Sequence, residues 1–218
     1  MRLLPDPRDA LVRFLCSVLF LWAPAAAAQL YEEFVFAVAN DRVAQVKELL
    51  GKGIDPNTVD PNGEPVLVVA ARLGFTGTVD ALLAAKANIN AKSSVGDTAI
   101  MMAALNGHLE LVRKFRLRGA QIDGVGWTPL IYAATGGHDA VVTYLLSEGA
   151  AMNATSPNGT SALMMATREG KASTAYLLIA RGADVNHRNQ NGASALTWAV
   201  RGNEQEIAAA LRRAGARD

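Results

Sequence analysis

Apolar and polar residues follow a helical spacing that is repeated along most of the chain. The clearest copy covers 126–154, where apolar residues recur every three to four positions in two stretches, Leu130–Ala134 and Val141–Leu146. This spacing is typical of helices that bury one face. Each copy therefore predicts two short amphipathic helices joined by a turn.

The ends of these helices carry residues with clear conformational preferences. Thr128 is suited to an N-cap, and Pro129 loses no hydrogen bond at the first helical position. Gly136 and Gly137 are expected to end the first helix and turn the chain. Gly149 is suited to a left-handed C-cap after the second helix.

Two independent sets of residues repeat with the same steps. The first set is spaced by 33, 33, 30, 33 and 33 residues, and the second by 33, 30, 33 and 33. Because both sets contain the same three-residue deletion, the internal repeat is real. The first set is Gly53, Lys86, Gly119, Gly149, Gly182 and Gly215, and the second is Gly63, Gly96, Gly126, Gly159 and Gly192.

These units predict an all-α repeat solenoid of stacked helix–turn–helix units with short β-hairpin-like fingers. A helix pair this short cannot bury its apolar face alone, so neighbouring units must stack. The charged residues of the first and last units are expected to make both ends of the stack polar. One repeat domain is predicted over 29–218, with units at 31–59 (N-terminal cap), 60–92, 93–123, 124–155, 156–188 and 189–218 (C-terminal cap).

The units resemble ankyrin repeats from about Glu33 to Gly215. The matching stretches are Gly96-Asp97-Thr98, Gly107-His108, Leu145-Leu146 and Gly182-Ala183-Asp184-Val185-Asn186. More narrowly, Tyr31-Glu32-Glu33-Phe34, followed by Asp55-Pro56-Asn57, resembles the start of exported bacterial ankyrin proteins. The resemblance implies a protein that binds another protein and is not an enzyme.

The chain departs from the family pattern in its Thr-Pro-Leu-His element. The histidine position holds Val68, Met101, Ile131, Met164 and Thr197, so four of the five are apolar. Packing is expected to replace the hydrogen bond that the family histidine makes to threonine.

The three-residue deletion shortens the loop between Ile122 and Trp127. We expect a truncated finger there and a notch beside Trp127. The notch is either a functional feature or simple loop trimming, since loops tolerate changes of length.

Residues 1–28 differ from the rest and are typical of a secretory signal peptide. Three arginines precede the apolar stretch Phe14–Trp22, which is followed by Pro24 and by small residues up to Ala28. We expect cleavage between Ala28 and Gln29, and therefore a periplasmic or secreted protein.

Three other interpretations fit residues 1–28 less well. A membrane anchor needs about 20 continuous apolar residues, and a mitochondrial presequence is poor in acids, unlike this segment with Asp6 and Asp9. A lipoprotein would carry its cysteine at the end of the apolar stretch, whereas Cys16 lies near its start. Cleavage would remove this single cysteine, so disulfides, thiol catalysis and cysteine–zinc sites are excluded from the mature chain.

The mature chain has no net formal charge. Residues 1–28 hold 3 of the 21 basic and 2 of the 20 acidic residues, which leaves 18 of each sign. A neutral chain without a basic run does not favour nucleic acid or a membrane surface as its partner.

Candidate chemistry in the mature chain is sparse. His108 and His138 fall in the family's Gly-His turn and are expected to brace it, and His187 is expected to be solvated in a finger. A zinc site would need three or four close ligands, and no nucleophile or phosphate-loop motif occurs. We therefore predict no catalytic residue, no cofactor and no metal.

The variable positions of the resembled family define a candidate protein-binding surface on the fingers and first helices. Aromatic residues and arginine are the side chains best suited to supply interface energy there. The candidate residues are Glu64, Arg72, Lys92, Asp97, Leu105, Trp127, Tyr132, Arg168, Glu169, Arg188, Gln190 and Arg201.

Trp127, with Arg168 one unit further on, is the strongest of these candidates. It is alternatively a core aromatic that covers the shortened loop. A second stripe, one residue in each unit, either forms an apolar groove or, as we favour, packs between repeats. Its members are Val69, Met102, Tyr132, Met165 and Trp198.

The sequence thus predicts a periplasmic protein–protein interaction module, a scaffold or adaptor whose partner is another protein. Two alternatives stay open: an accessory or inhibitory subunit of a periplasmic enzyme, and a secreted effector directed at a host.

Overall fold

A computed structural model describes residues 27–217. Within this range the chain forms twelve helices in six pairs, which confirms the predicted all-α repeat solenoid. The first helices of the pairs are α1 (27–39), α3 (Val66–Leu73), α5 (Ala99–Leu105), α7 (Pro129–Gly136), α9 (Ala162–Arg168) and α11 (Ala195–Arg201). The second helices are α2 (Val43–Gly51), α4 (Thr76–Ala84), α6 (Leu109–Leu117), α8 (Asp139–Ser147), α10 (Ala172–Ala180) and α12 (Gln205–Arg213).

The helix pairs stack side by side and share one continuous core. From α3 to α11 each first helix contacts the next first helix, and second helices such as α8 and α10 also contact each other. One alanine in each first helix is completely buried, because a side chain this small lets neighbouring helices approach closely. These alanines are Ala37, Ala70, Ala103, Ala133, Ala166 and Ala199.

The predicted helix ends are confirmed. The Oγ1 atom of Thr128 accepts a hydrogen bond of 3.3 Å from the backbone N–H of Ile131, and Pro129 begins α7. Gly137 has a φ of 80° directly after α7, and Gly149 has a φ of 88° after α8. Both conformations are left-handed and favour glycine.

Packing replaces the family's threonine–histidine bond in most repeats, as predicted. Val68, Ile131 and Met164 are buried in the core. The fifth position keeps a polar contact, since Oγ1 of Thr197 lies 3.1 Å from Oγ of Ser194.

Isolated β-bridges close four of the fingers. They join Val59 to Pro65, Lys92 to Thr98, Thr155 to Ser161 and Arg188 to Ser194. No bridge forms between 121 and 128, within the described part of the chain, because the deletion leaves too few residues to fold back. The predicted truncated finger is thus confirmed.

A ladder of side-chain hydrogen bonds links the fingers of successive repeats. At each of the five junctions in residues 27–217, an Asn or Asp oxygen accepts a bond from a backbone N–H of the next repeat, at 2.7 to 3.0 Å. We call this set the junction ladder. Its pairs are Asn57–Asn88, Asn90–Gln121, Asp123–Ala151, Asn153–Asp184 and Asn186–Arg217.

Histidines also join neighbouring repeats. Nε2 of His108 donates to the carbonyl of Arg72 at 3.0 Å, and Nε2 of His138 donates to that of Leu105 at 2.9 Å. The predicted bracing role is therefore confirmed. The prediction for His187 is wrong: it is half-buried, and its Nε2 lies 2.7 Å from the carbonyl oxygen of Gly159.

The two ends of the stack are less polar than the sequence predicted. Phe36 in the first repeat is 50% exposed and Val200 in the last repeat is 54% exposed. Most of the predicted signal peptide (1–26) lies outside the described residues. The predicted cleavage site after Ala28 lies within α1, where Ala28 and Gln29 are exposed.

None of the helices in residues 27–217 is long and apolar enough to cross a membrane.

The junction ladder makes a prediction about stability. Asn153→Ala should lower the free energy of unfolding by about 1 kcal/mol, because the N–H of Asp184 loses its partner. Asn153→Asp is the matched control and should stay close to the unmodified protein, since Asp123 accepts the equivalent bond one repeat earlier. Urea denaturation measures both changes. An equal loss in the two variants would show that the ladder bond is not the cause.

Candidate functional site

All twelve predicted binding residues lie at least partly exposed on the fingers and first helices. We call this set the finger face. Its exposed members are Lys92, Arg168, Glu169, Arg188, Gln190 and Arg201, and its half-buried members are Glu64, Arg72, Asp97, Leu105, Trp127 and Tyr132.

Near the first fingers the charges of the finger face are already paired. Glu64 forms an ion pair with Arg72, and the Glu64 side chain is only 13% exposed. The N–H of Glu64 donates to Asp60, which fixes this backbone as well. These two residues are therefore held by each other and offer a partner little unpaired charge.

An aromatic cluster occupies the middle of the finger face. The Tyr132 hydroxyl, on α7, donates a hydrogen bond to the Asp97 carboxylate of the preceding repeat. The ring of Trp127 lies 5.6 Å from that of Tyr132, at an interplanar angle of 46°. This tilted arrangement is favourable for aromatic pairs. The structure therefore brings three predicted residues together at the shortened finger.

Burial raises the pKa of Tyr132, and its hydrogen bond to Asp97 and the charge of that carboxylate raise the pKa further. The phenol therefore stays protonated at neutral pH and remains a donor to Asp97. This bond ties the third and fourth repeats together beneath Trp127.

A second aromatic–arginine contact lies further along the finger face. The Arg168 guanidinium lies over the ring of Trp198 at 5.8 Å, and its Nε donates to Glu169 at 2.9 Å. Trp198 is half-buried and appeared only in the predicted stripe, not among the binding residues. Arg168 thus pairs with the tryptophan of the following repeat, whereas Trp127 pairs with Tyr132.

In the last finger, Arg188 bonds its own finger and Gln190 bonds the finger of the preceding repeat. Nη1 of Arg188 donates to the carbonyl of Gly192 at 2.9 Å, and Nε2 of Gln190 donates to that of Pro157 at 2.7 Å. The side chains of Arg188 and Gln190 remain exposed, as does that of Arg201 later in the same repeat.

The notch beside Trp127 is small. It encloses about 60 Å³ and is lined by Met101, Ile122 and Trp127 among others. This volume corresponds to about two water molecules. Trp127 packs against the core and is half-buried, so it covers the shortened loop, and its role in binding stays a prediction.

The predicted apolar stripe is mainly a packing element. Met102 and Met165 are buried, at 4% and 2% exposure, whereas Val69, Tyr132 and Trp198 are half-buried. Buried methionines interrupt the stripe, so it does not form a continuous groove.

The sequence did not indicate a second, open groove on the side of the second helices. It measures about 700 Å³ and is lined by residues of α6, α8 and α10, including Leu109, Asp139 and Leu177. The Arg113 guanidinium lies 4.5 Å from the centre of the Tyr144 ring within it. Only the stacking of three repeats creates this groove.

Across residues 27–217, His, Cys, Asp and Glu side chains form no group of three or more that could hold a metal ion.

The family model described as ankyrin repeats (three copies) matches residues 34–123, 77–156, 105–189 and 141–217. The chain belongs to the ankyrin-repeat family. Ankyrin repeats generally mediate protein–protein interactions and are typically non-enzymatic binding modules.

Several curated ankyrin-repeat proteins are similar to this chain. Mouse ankyrin repeat and SAM domain-containing protein 6 is 47% identical over 140 residues, which cover 60% of this chain and 16% of that protein. The Caenorhabditis elegans transient receptor potential cation channel subfamily A member 1 homolog is 31% identical over 109 residues, 49% of this chain and 9% of the channel. The chain thus spans less than a fifth of these two relatives.

A bacterial relative matches over most of its own length. The ankyrin repeat protein YahD of Escherichia coli (strain K12) is 27% identical over 180 residues, which cover 63% of this chain and 90% of YahD.

The raised pKa of Tyr132 makes a testable prediction at high pH. The unfolded tyrosine titrates near its ordinary pKa of about 10, below the folded value. Its contribution to stability is therefore complete below about pH 10 and is lost as the pH rises toward the folded pKa. In Tyr132→Phe, the free energy of unfolding from urea titrations should fall less steeply as the pH rises from about 10 to about 11. Identical slopes in the two proteins would contradict the prediction.

Proposed function

We propose that this ankyrin array binds a partner protein through its finger face, as an exported protein-interaction module. The observation that carries the proposal is the presence of two aromatic contacts on the fingers and first helices, Trp127 against Tyr132 and Arg168 over Trp198. Tryptophan, tyrosine and arginine are the residues that most often dominate interface energy. The two tryptophans each keep part of their surface accessible for such contacts.

The finger face is organised before any partner arrives. The Tyr132–Asp97 bond and the Glu64–Arg72 pair hold four of its side chains, and Trp198 supports Arg168. Side chains that are already ordered lose less conformational entropy when they bind. The framework therefore favours rigid-body recognition with little rearrangement.

Charge supports a protein partner over nucleic acid. The predicted mature chain carries 18 basic and 18 acidic residues. On the finger face, two arginines are paired with glutamates, Arg72 with Glu64 and Arg168 with Glu169. Nucleic-acid binding requires a surplus of basic side chains to neutralise phosphates. The mixed face instead suits the polar rim and aromatic anchors of a protein interface.

Export is supported by the sequence of residues 1–28. Their arginines, apolar stretch and terminal alanines fit a cleavable signal peptide. We propose a periplasmic or secreted location on this basis.

The binding proposal is tested by a pulldown from periplasmic extract with protein purified after expression of the full chain. Trp127→Ala/Arg168→Ala should lose a stoichiometric partner, because truncating two anchors weakens affinity by roughly tenfold or more. Leu117→Ala is the control, since Leu117 is 84% exposed on α6 and outside the finger face. Its partner should be retained.

Each outcome of this pulldown has a defined meaning. Equal capture by the double variant would place the interface elsewhere on the array. An enzyme whose activity changes on capture would identify the module as an accessory or inhibitory subunit. Absence of a partner with the unmodified protein, in extract and in culture medium alike, would overturn the proposal for these compartments.

The export proposal is tested by intact-mass measurement of the protein recovered after cell fractionation. The expected species begins at Gln29 and is found in the periplasm or medium. A species that retains residues 1–28 in the cytoplasm would contradict the proposed signal peptide.

A further inference from the structure

Both end faces of the repeat stack expose an apolar side chain more than interior repeats do at the same position. Phe36 is 50% exposed, whereas the equivalent Met102 and Met165 are buried and the equivalent Val69, Tyr132 and Trp198 are half-buried. Val200 is 54% exposed, whereas every interior residue at its position is completely buried. Those interior residues are Ala71, Ala104, Ala134 and Thr167.

The interior junctions show what would cover these end faces. Between the last two repeats, the Arg168 guanidinium lies over the Trp198 ring. Arg201 is the equivalent of Arg168 in the last repeat, and Phe36 is the equivalent of Trp198 in the first. A second copy stacked in the same way would therefore place Phe36 under Arg201.

A second interior contact also has a counterpart between copies. His108 and His138 each donate to a carbonyl at the end of the preceding first helix, those of Arg72 and Leu105. In the first repeat, Arg42 stands at the position of these histidines. In the last repeat, the backbone carbonyl at the equivalent position is that of Arg201.

Arg42 is available for this role. In the single chain its guanidinium lies 4.6 Å from the centre of the Phe36 ring. By turning toward the carbonyl of Arg201 in another copy, Arg42 would vacate the ring for the Arg201 guanidinium. One side-chain movement therefore satisfies both contacts.

The charges of the two end faces are complementary. The first repeat (31–59) has five acidic and three basic residues, including Arg42, and the last repeat (189–218) has four basic and three acidic residues, so the two repeats carry net charges of opposite sign. In the interior, Ile179 on α10 is the equivalent of Arg212, and Ala210 on α12 is the equivalent of Glu48. Both residues line one groove between these two helices. Stacked copies would therefore bring Arg212 close to Glu48, which pairs with Lys52 at 2.6 Å in the single chain and would then face two cations.

We propose that copies of this chain associate end to end, with the last repeat of one copy stacking on the first repeat of the next. The interface continues the one that already joins repeats within the chain. It joins two different surfaces, so it produces open chains or closed rings instead of a symmetric dimer. The interface lies at the ends of the array and shares Arg201 with the finger face.

The first test is sedimentation velocity at rising protein concentration, with protein purified after expression of the full chain. The average mass should increase with concentration, and added salt should reverse the increase, because screening weakens the Arg–Glu attraction. Phe36→Glu and Val200→Glu should each lower the association constant by roughly tenfold or more, since each replaces an interface anchor with a charge.

Controls separate association from folding. Both side chains are exposed, so each variant should keep the circular dichroism spectrum of the unmodified protein. Leu117→Glu introduces the same charge at an exposed leucine away from both ends and should associate normally.

The decisive test mixes the two end variants. Phe36→Glu weakens only the first end and Val200→Glu weakens only the last end, so each alone should remain largely monomeric at concentrations where the unmodified protein associates. Their equimolar mixture should form a dimer and nothing larger, because one intact end of each kind remains. Monomers in this mixture, or an unmodified protein that stays monomeric at its solubility limit, would overturn the proposal.

Discussion

The structure depends on the burial of each helix pair against the next pair. None of these pairs is long enough to form its own core, and the buried alanines of the first helices only become interior when a neighbour covers them. The junction ladder adds one directed hydrogen bond at every finger. Apolar burial therefore holds the repeats together, and the ladder fixes their register.

This constraint divides the surface into parts with different freedom. Residues that face a neighbouring repeat must be small or apolar, whereas residues on the finger face contact solvent and vary without loss of the core. The Tyr132–Asp97 bond uses this freedom, because it joins two repeats and also supports Trp127. Contacts between repeats and the proposed binding surface thus share side chains at the shortened finger.

The end repeats face the opposite problem, since each has a neighbour on only one side. Glu33, Gln45 and Arg212 place polar groups where interior repeats are mostly apolar, which lowers the cost of exposure. Phe36 and Val200 keep apolar side chains at the same faces. The ends are therefore incompletely capped, and it is this imbalance that makes a further copy a suitable neighbour.

The sequence by itself determined the repeat, its 33-residue period, the helix caps at Thr128 and Gly137, and the finger truncated before Trp127. These features are local, because they follow from spacing and from the backbone preferences of single residues. Only the tertiary structure decided that Arg168 lies over Trp198, that His187 contacts Gly159 and that Asn153 bonds the next repeat. Such contacts join residues about 30 positions apart, and their partners are defined by how one repeat rotates onto another, which no local pattern specifies.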